Sequence, residues 1–327
     1  MRPVAHLRVL DGLRGASILF VLASHLLPLG PKAWQLNHAS GVMGMALFFC
    51  LSGFLITSFL LKEMSIPEFL MRRFFRIVPL AWLYVSLALF IWSVSFDTWA
   101  AHFLFYANLP PQRLVPLTEH MWSVCVEVQF YVGVAILVGM CGARGLYVLP
   151  ILFLLFTMVR VYYGVHYSSV TYFRFDEILA GCTLALAYHG WLGVRIPELV
   201  RRVPQLPLLL LLLSSCTKQG EWLNYFRPYL GAIFVGALIL NPRGVLAKIL
   251  CHRVLAYCAS ISYALYVIHP LLAASWLGSG DVLEKYAKRP LLFAALFVLA
   301  HLSTYHYERK WTALGRRLAD SFRPAPR

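Results

Sequence analysis

This sequence has few charged residues for its length. Only 13% of its 327 residues are Asp, Glu, Lys or Arg, about half of what a soluble domain carries. Hydrophobic residues make up 60% of the chain, and apolar runs of about twenty residues recur along it. These proportions exclude a water-soluble globular protein and predict an integral membrane protein with many spans. Since spanning backbone must satisfy its own hydrogen bonds, the expected fold class is all-α.

Cysteine is scarce as well, and the sequence has no CxxC motif. The seven cysteines are odd in number and lie mostly within apolar runs, which argues against a disulfide framework and against a zinc site. We therefore expect no metal. The sequence also lacks a long hydrophilic extension, a low-complexity tract and an internal repeat. It is interpreted as a single membrane domain over residues 1–327, with spans between 13 and 308 and a basic cytoplasmic tail at 309–327.

Windows of about twenty apolar residues predict about ten transmembrane helices. Residues 98–110 are a further candidate for an interfacial helix, and Ser65–Arg76 for an amphipathic segment that leads into the third span. The predicted spans centre on residues 13–30, 42–61, 77–95, 121–140, 145–161, 173–189, 204–216, 228–240, 256–276 and 290–306.

The net charge of +15 suggests nucleic-acid binding, but the placement of the charges argues against it. With the N-terminus inside, cytoplasmic segments hold nineteen Lys and Arg residues and outer segments, which include Arg160 and Arg227, hold eight. This asymmetry follows the positive-inside rule and predicts that both termini are cytoplasmic. The expected contacts are membrane lipids rather than nucleic acid.

His25 and Arg14 lie eleven residues apart in the first predicted span, which we place at about Leu13–Leu29. Eleven steps of about 100° return nearly to the starting angle, so both side chains face the same way, about 16 Å apart along the axis. An imidazole well inside a span indicates a functional site, with the charge of Arg14 near one membrane surface. The alternative is a buried structural histidine, with Arg14 reaching the lipid headgroups.

Three arginines, Arg72, Arg73 and Arg76, cluster where the third span leaves the cytoplasm. Residues 73 and 76 share one helix face, and guanidinium groups bind phosphate well. The cluster is therefore a candidate phosphate clamp. The alternative is topogenic charge that contacts lipid headgroups.

Other polar side chains interrupt the later spans. Glu127 and Gln129 lie in an apolar helix and must meet polar partners, with histidine or arginine on another span as the natural partner for the carboxylate. Arg174, Asp176 and Glu177 indicate either a structural ion pair near the outer surface or a substrate role. Ser262, Tyr266 and His269 form one polar stripe at helical spacing. Further candidates for lining a cavity or an acceptor site are Asp11, Trp122, Ser123, Tyr131 and Tyr263.

Taken in order, these segments resemble the membrane-bound acyltransferase-3 family, which includes enzymes that O-acetylate bacterial surface polysaccharides, Nod factors and macrolides. Three positions depart from the family's pattern: Ala46, Val128 and Ala259 stand where acidic, glutamate and glycine residues are common. The resemblance covers nearly the whole chain and lies in Leu10–Gly15 through His25, Leu47–Thr57, Arg72–Pro79, Trp122–Tyr131, Arg174–Gly181 and Ile261–His269.

The resemblance implies an enzyme of the bacterial inner membrane that moves an acetyl or other short acyl group from cytoplasmic acetyl-CoA to a carbohydrate hydroxyl. By this reading, Arg14, Arg73 and Arg76 bind the CoA phosphates. His25 is the general base, or forms an acyl-histidine intermediate, and Glu127 is a candidate for orienting it.

Two other classes of function compete with this interpretation. A proton-coupled transporter or flippase would also use buried His, Glu and Arg residues, but the sequence shows no internal repeat and no matching pair of broken helices. A membrane receptor or scaffold would leave the intramembrane charges without a purpose. Binding of CoA distinguishes an acyltransferase from both of these classes.

Overall fold

The protein is an all-α polytopic membrane protein. The structure is a computed structural model that describes residues 8–62, 65–242 and 244–322, and it contains no strand within them. The helices are α1 (Arg8–Leu26), α2 (Leu36–Leu60), α3 (Ile66–Trp92), α4 (Phe96–Phe103), α5 (Trp122–Cys141), α6 (Leu149–Tyr162), α7 (Phe175–Tyr188), α8 (Arg195–Arg202), α9 (Gln205–Ser214), α10 (Leu223–Leu240), α11 (Val245–Leu250), α12 (Arg253–Ser260), α13 (Ser262–Ala273), α14 (Val282–Ala287), α15 (Arg289–Leu302) and α16 (Arg309–Asp320).

Each predicted span coincides with helix, but not every helix is long enough to cross a bilayer alone. Six stretches of the described chain are long and apolar enough, or seven if α12 and α13 form one broken span. Helix α7 has 14 residues and α9 has 10, which at about 1.5 Å per residue is less than the roughly 30 Å of hydrocarbon. These shorter helices are therefore not counted among the six or seven full-length stretches of the described chain.

Contacts between Cα atoms divide the chain into two compact units. The first comprises Met1–Leu61, Tyr147–Ser168 and Tyr172–Ser262, and the second comprises Lys62–Leu146, Ser169–Thr171 and Tyr263–Arg327. Each unit therefore gathers segments that are distant in sequence.

Close backbone approaches at glycine hold the first unit together. A Cβ atom at Gly53 of α2 would lie 2.0 Å from the carbonyl oxygen of Ile178 in α7, and one at Gly181 of α7 would lie 1.9 Å from that of Cys50. Helix α1 makes the same kind of contact, since a Cβ at Gly12 would lie 1.7 Å from the carbonyl oxygen of Leu250. Small residues let helices pack this closely in membranes.

The second unit is built around α3 and α16. Helix α3 begins directly after Ser65, whose Oγ accepts the backbone N–H of Glu68 at 3.3 Å. The predicted amphipathic segment and the third span are thus one helix. Helices α15 and α16 are joined by a π-helical turn at Ser303–Glu308, and the last five residues of the predicted basic tail, 323–327, lie outside the described residues.

Candidate active site

His25 lies in the last turn of α1 and is exposed, while Arg14 is half-buried in the second turn. The helix starts at Arg8 and ends at Leu26, so the prediction that His25 lies well inside the first span is wrong. The reason is that α1 ends one residue after His25, so the apolar residues that follow are not helical. The helix instead begins earlier than predicted and includes Arg8 and Asp11. Asp11, in the first turn, is exposed.

The hydrogen bonds of His25 favour one tautomer of its ring. Nδ1 lies 3.0 Å from the carbonyl oxygen of Val21 and 3.2 Å from Oγ of Ser24. A carbonyl oxygen can only accept, so this contact places the proton on Nδ1. In the neutral imidazole, Nε2 is then the basic nitrogen, as a general base requires.

The arginine cluster of α3 lies in the second unit, and its three members have different surroundings. Arg72 forms an ion pair of 2.7 Å with Glu68 and one of 3.6 Å with Asp320 of α16. Arg73 is half-buried, with its guanidinium carbon 5.4 Å from the centre of the Tyr131 ring, and Arg76 is exposed. Arg73 and Arg76 therefore remain the better candidates for a phosphate clamp, while Arg72 ties α3 to α16.

Glu127 is buried in α5 at 8% exposure, and the hydroxyl of Tyr131 donates a hydrogen bond to its carboxylate. Through Tyr131, Glu127 is linked to the surroundings of Arg73. Both Tyr131 and Arg73 line a cavity of about 620 Å³ whose other walls are apolar side chains of α3, α5 and α16. Pockets of this size hold small-molecule ligands in many proteins.

Tyr263 and Glu308 complete the surroundings of Arg76. The hydroxyl of Tyr263 donates to the carbonyl oxygen of Ile77 at 2.6 Å, and Glu308 and Arg76 lie within electrostatic range of Tyr263. Glu308 accepts hydrogen bonds from Ser303 and Thr304 within the π-helical turn. Sequence analysis did not select Glu308, although π-helical turns are frequent at functional sites.

A second polar cluster of this unit contains Ser123, Tyr266 and His269. Oγ of Ser123 lies 2.7 Å from the hydroxyl of Tyr266, and the buried His269 ring is bonded to the Tyr266 carbonyl oxygen at 2.7 Å. The cluster also includes His120, whose ring centre lies 5.4 Å from that of His269. His120 was missed because it lies between two predicted spans, where its burial leaves no sequence signal.

Two other residues predicted to line this region have separate surroundings. Nε2 of Gln129 donates to the carbonyl oxygen of Phe105 at 2.7 Å and to Oδ1 of Asn108 at 3.1 Å. Gln129 thus ties α5 to the loop that follows α4. Trp122 is half-buried at the start of α5.

The first unit contains a buried network of five charged side chains, called here the ion network. Asp176 pairs with Arg160 of α6, while Glu177 pairs with Arg174 at 3.0 Å and with Arg227 of α10 at 2.7 Å. All five residues are buried. Arg160 lies in the last turn of α6 and Arg227 near the start of α10, and both are held by carboxylates of α7.

No candidate metal site is present among the described residues, since no three His, Cys, Asp or Glu side chains converge there. All seven cysteines are free thiols.

With this geometry described, comparison with known proteins places the chain in a family. The acyltransferase domain model of the acyltransferase-3 family matches residues 7–305, and the chain belongs to this family. The expected resemblance is thereby confirmed. No solved structure matches the chain.

Curated relatives are described as O-acetyltransferases. The chain is 25% identical to the peptidoglycan O-acetyltransferase OatA of Listeria monocytogenes, over 90% of this chain and 54% of that protein. It is 27% identical to "Putative peptidoglycan O-acetyltransferase YrhL" of Bacillus subtilis, over 81% of this chain and 48% of that protein. The chain thus spans about half the length of these relatives. The family and these relatives support an acyltransferase.

Proposed function

We propose that this protein transfers an acetyl or other short acyl group from cytoplasmic acyl-CoA to a hydroxyl of an envelope carbohydrate, in the bacterial inner membrane. The observation that carries the proposal is the family membership of nearly the whole chain, combined with an exposed His25 whose Nδ1 lies 3.0 Å from the carbonyl oxygen of Val21. The names of the relatives support peptidoglycan, or another exported polysaccharide, as the acceptor class.

In the first unit, His25 is the proposed general base. Its Nε2 takes the proton of the acceptor hydroxyl while the oxygen attacks the thioester carbonyl carbon. The C–S bond then breaks, an ester forms, and the CoA thiolate receives the proton from the imidazolium. Arg14, on the same face of α1, is the proposed contact for a CoA phosphate in this unit.

In the second unit, Arg73 and Arg76 are the proposed phosphate contacts. Arg73 lies at the wall of the cavity of about 620 Å³, whose apolar lining suits the pantetheine arm better than a charged group. Glu127 and Tyr131 are proposed to hold Arg73 in place, since Tyr131 contacts both. Ser123, Tyr266 and His269 are the proposed polar contacts for the acceptor.

The proposal is tested by measuring thiol release from acetyl-CoA with purified protein in detergent, with and without crude envelope glycans. Wild type is expected to release thiol only when glycan is present. His25→Ala should lose at least about a hundredfold in rate, the range for loss of a general base. The control His301→Ala removes another exposed histidine and should keep full activity.

Two results would count against the transferase. Equal thiol release by wild type and His25→Ala would remove His25 from the chemistry. A folded preparation that binds no CoA and releases no thiol would favour the proton-coupled transporter, which uses the same residue types without a CoA substrate.

A further inference from the structure

The ion network of the first unit carries an excess of positive charge. It contains three arginines, Arg160, Arg174 and Arg227, but only two carboxylates, Asp176 and Glu177. Every side chain in it is at most 5% exposed. A buried charge without a counter-charge is costly, so a net charge of +1 at this depth calls for an anion.

Arg227 supplies a hydrogen-bond donor for such an anion. Its Nε donates to Glu177 at 2.7 Å and its Nη2 donates to the carbonyl oxygen of His166 at 3.4 Å. Its Nη1 is buried and has no acceptor among the described residues. Buried donors are nearly always satisfied in proteins, so a buried guanidinium nitrogen without a protein acceptor indicates a contact for an ion, water or ligand.

His38 of α2 provides a second unsatisfied polar atom in the same region. Its Nε2 is buried and likewise has no partner within the described chain. The ring lies 4.4 Å, centre to centre, from that of Tyr167, and the guanidinium carbon of Arg227 lies 5.3 Å from the centre of the same Tyr167 ring. Tyr167 therefore lies beside both groups.

The region lies near the catalytic candidate of the same unit. Nδ2 of Asn37, the residue before His38, donates to the carbonyl oxygens of Ser24 at 2.8 Å and Leu27 at 2.6 Å. These two residues flank His25 closely. An anion bound by Arg227 and His38 would therefore lie in the part of the first unit that contacts the C-terminal end of α1.

We propose that Arg227 and His38 bind a singly charged acidic group of the acceptor, a carboxylate being the group that a guanidinium fork matches. This inference rests on the proposed function, because it identifies the acceptor as an acidic glycan. The charge of the group offsets the excess of the ion network, and Nη1 of Arg227 donates to it. A neutral sugar would leave both the charge and the donor unsatisfied.

The test is thermal unfolding of the full purified chain in detergent, with sodium glucuronate compared with sodium chloride at equal ionic strength. Glucose serves as the neutral sugar. Glucuronate is expected to raise the unfolding midpoint of wild type, and glucose is not. Arg227→Gln should weaken the apparent affinity for glucuronate at least about tenfold. The control Arg202→Gln changes an exposed arginine of α8 and should respond like wild type.

Arg227→Gln also removes a partner of Glu177 and can unfold the chain, so a second variant is needed. Asn224 is buried, and its Oδ1 accepts the hydroxyl proton of Tyr167. Asn224→Asp places a carboxylate beside the ion network and supplies the missing charge from within. This variant also loses the hydrogen bond from Nδ2 of Asn224 to the carbonyl oxygen of Glu221, so its readout is the response to glucuronate, which should no longer raise its unfolding midpoint.

The outcomes separate this inference from the proposed function. An unchanged glucuronate response in Asn224→Asp, or an equal response of wild type to chloride, would overturn the acidic-acceptor site. Glycan-dependent thiol release without any glucuronate response would also overturn it, while leaving the transferase intact. A glucuronate response that Asn224→Asp abolishes, in a protein that releases no thiol, would support the site and contradict the transferase.

Discussion

The ion network of the first unit and the Arg73–Arg76 pair of the second contain the same guanidinium groups in opposite surroundings. In the first unit, Arg160, Arg174 and Arg227 are buried and paired with carboxylates of α7. In the second unit, Arg73 is half-buried against aromatic rings and Arg76 is exposed. Burial and partners, rather than residue type, therefore decide whether an arginine stabilises the fold or is open to a substrate.

The largest expected effect comes from breaking the ion network. Glu177→Ala leaves Arg174 and Arg227 without their shared carboxylate and raises the buried charge to about +2. Removing one partner of a buried pair costs about 3–5 kcal/mol, so we expect little folded protein. The measurement is monodispersity and thermal unfolding in detergent. Asp97→Ala, which breaks an exposed 3.6 Å pair with Arg113, should cost about 1 kcal/mol or less.

A smaller loss of stability is expected when Glu127 loses its hydrogen-bond donor. Tyr131→Phe removes the phenol that donates to this buried carboxylate, which should cost about 1–3 kcal/mol of unfolding free energy. Denaturant unfolding measures the change, and Tyr162→Phe is the control because Tyr162 is 84% exposed. Equal stability of both variants would mean that the Tyr131–Glu127 bond contributes nothing.

A still smaller loss of stability is expected when the arginines Arg73 and Arg76 are removed. The double variant Arg73→Ala, Arg76→Ala removes two charges that are not fully buried, and we expect a loss of about 1 kcal/mol or less. Thermal unfolding of this variant should stay close to wild type. A loss as large as that of Glu177→Ala would make the cluster a structural element and erase the contrast between the units.

The smallest effect concerns a buried group that is kept neutral. Burial lowers the pKa of His102 in α4, which bonds the carbonyl oxygen of Thr98 and the hydroxyl of Thr118. The unfolded chain therefore binds more protons, and stability should fall as the pH drops through the ordinary histidine value of about 6.5. The unfolding midpoint of wild type should fall between pH 7.5 and 5.5 by more than that of His102→Gln. Parallel curves would contradict this expectation.

Much of the fold was predictable because the bilayer limits the choices. Long apolar runs must be helices, and each predicted span coincides with helix in the structure. Helix ends were less predictable. Hydropathy marks apolar runs, and the charged residues Arg8 and Asp11 belong to α1 although they lie before the run that was predicted to span.

The sequence indicated which single polar residues matter in the site, but not which residues contact each other. Asp176 and Glu177 were recognised as carboxylates that needed cations, yet their partners Arg160 and Arg227 lie on α6 and α10. Contacts between distant segments leave no trace in one sequence. The Tyr131–Glu127 pair could have been found, because residues four apart face each other on a helix.

Direct binding of CoA tests the central claim, which is that Arg73 and Arg76 hold the donor. We would titrate CoA into purified wild type, the Arg73→Ala, Arg76→Ala variant and a matched Arg201→Ala, Arg202→Ala variant from the exposed end of α8, by calorimetry in detergent. The Arg73→Ala, Arg76→Ala variant should bind CoA at least about tenfold more weakly than wild type. The matched variant should bind like wild type. Equal binding by all three proteins, or no binding by folded wild type, would contradict it.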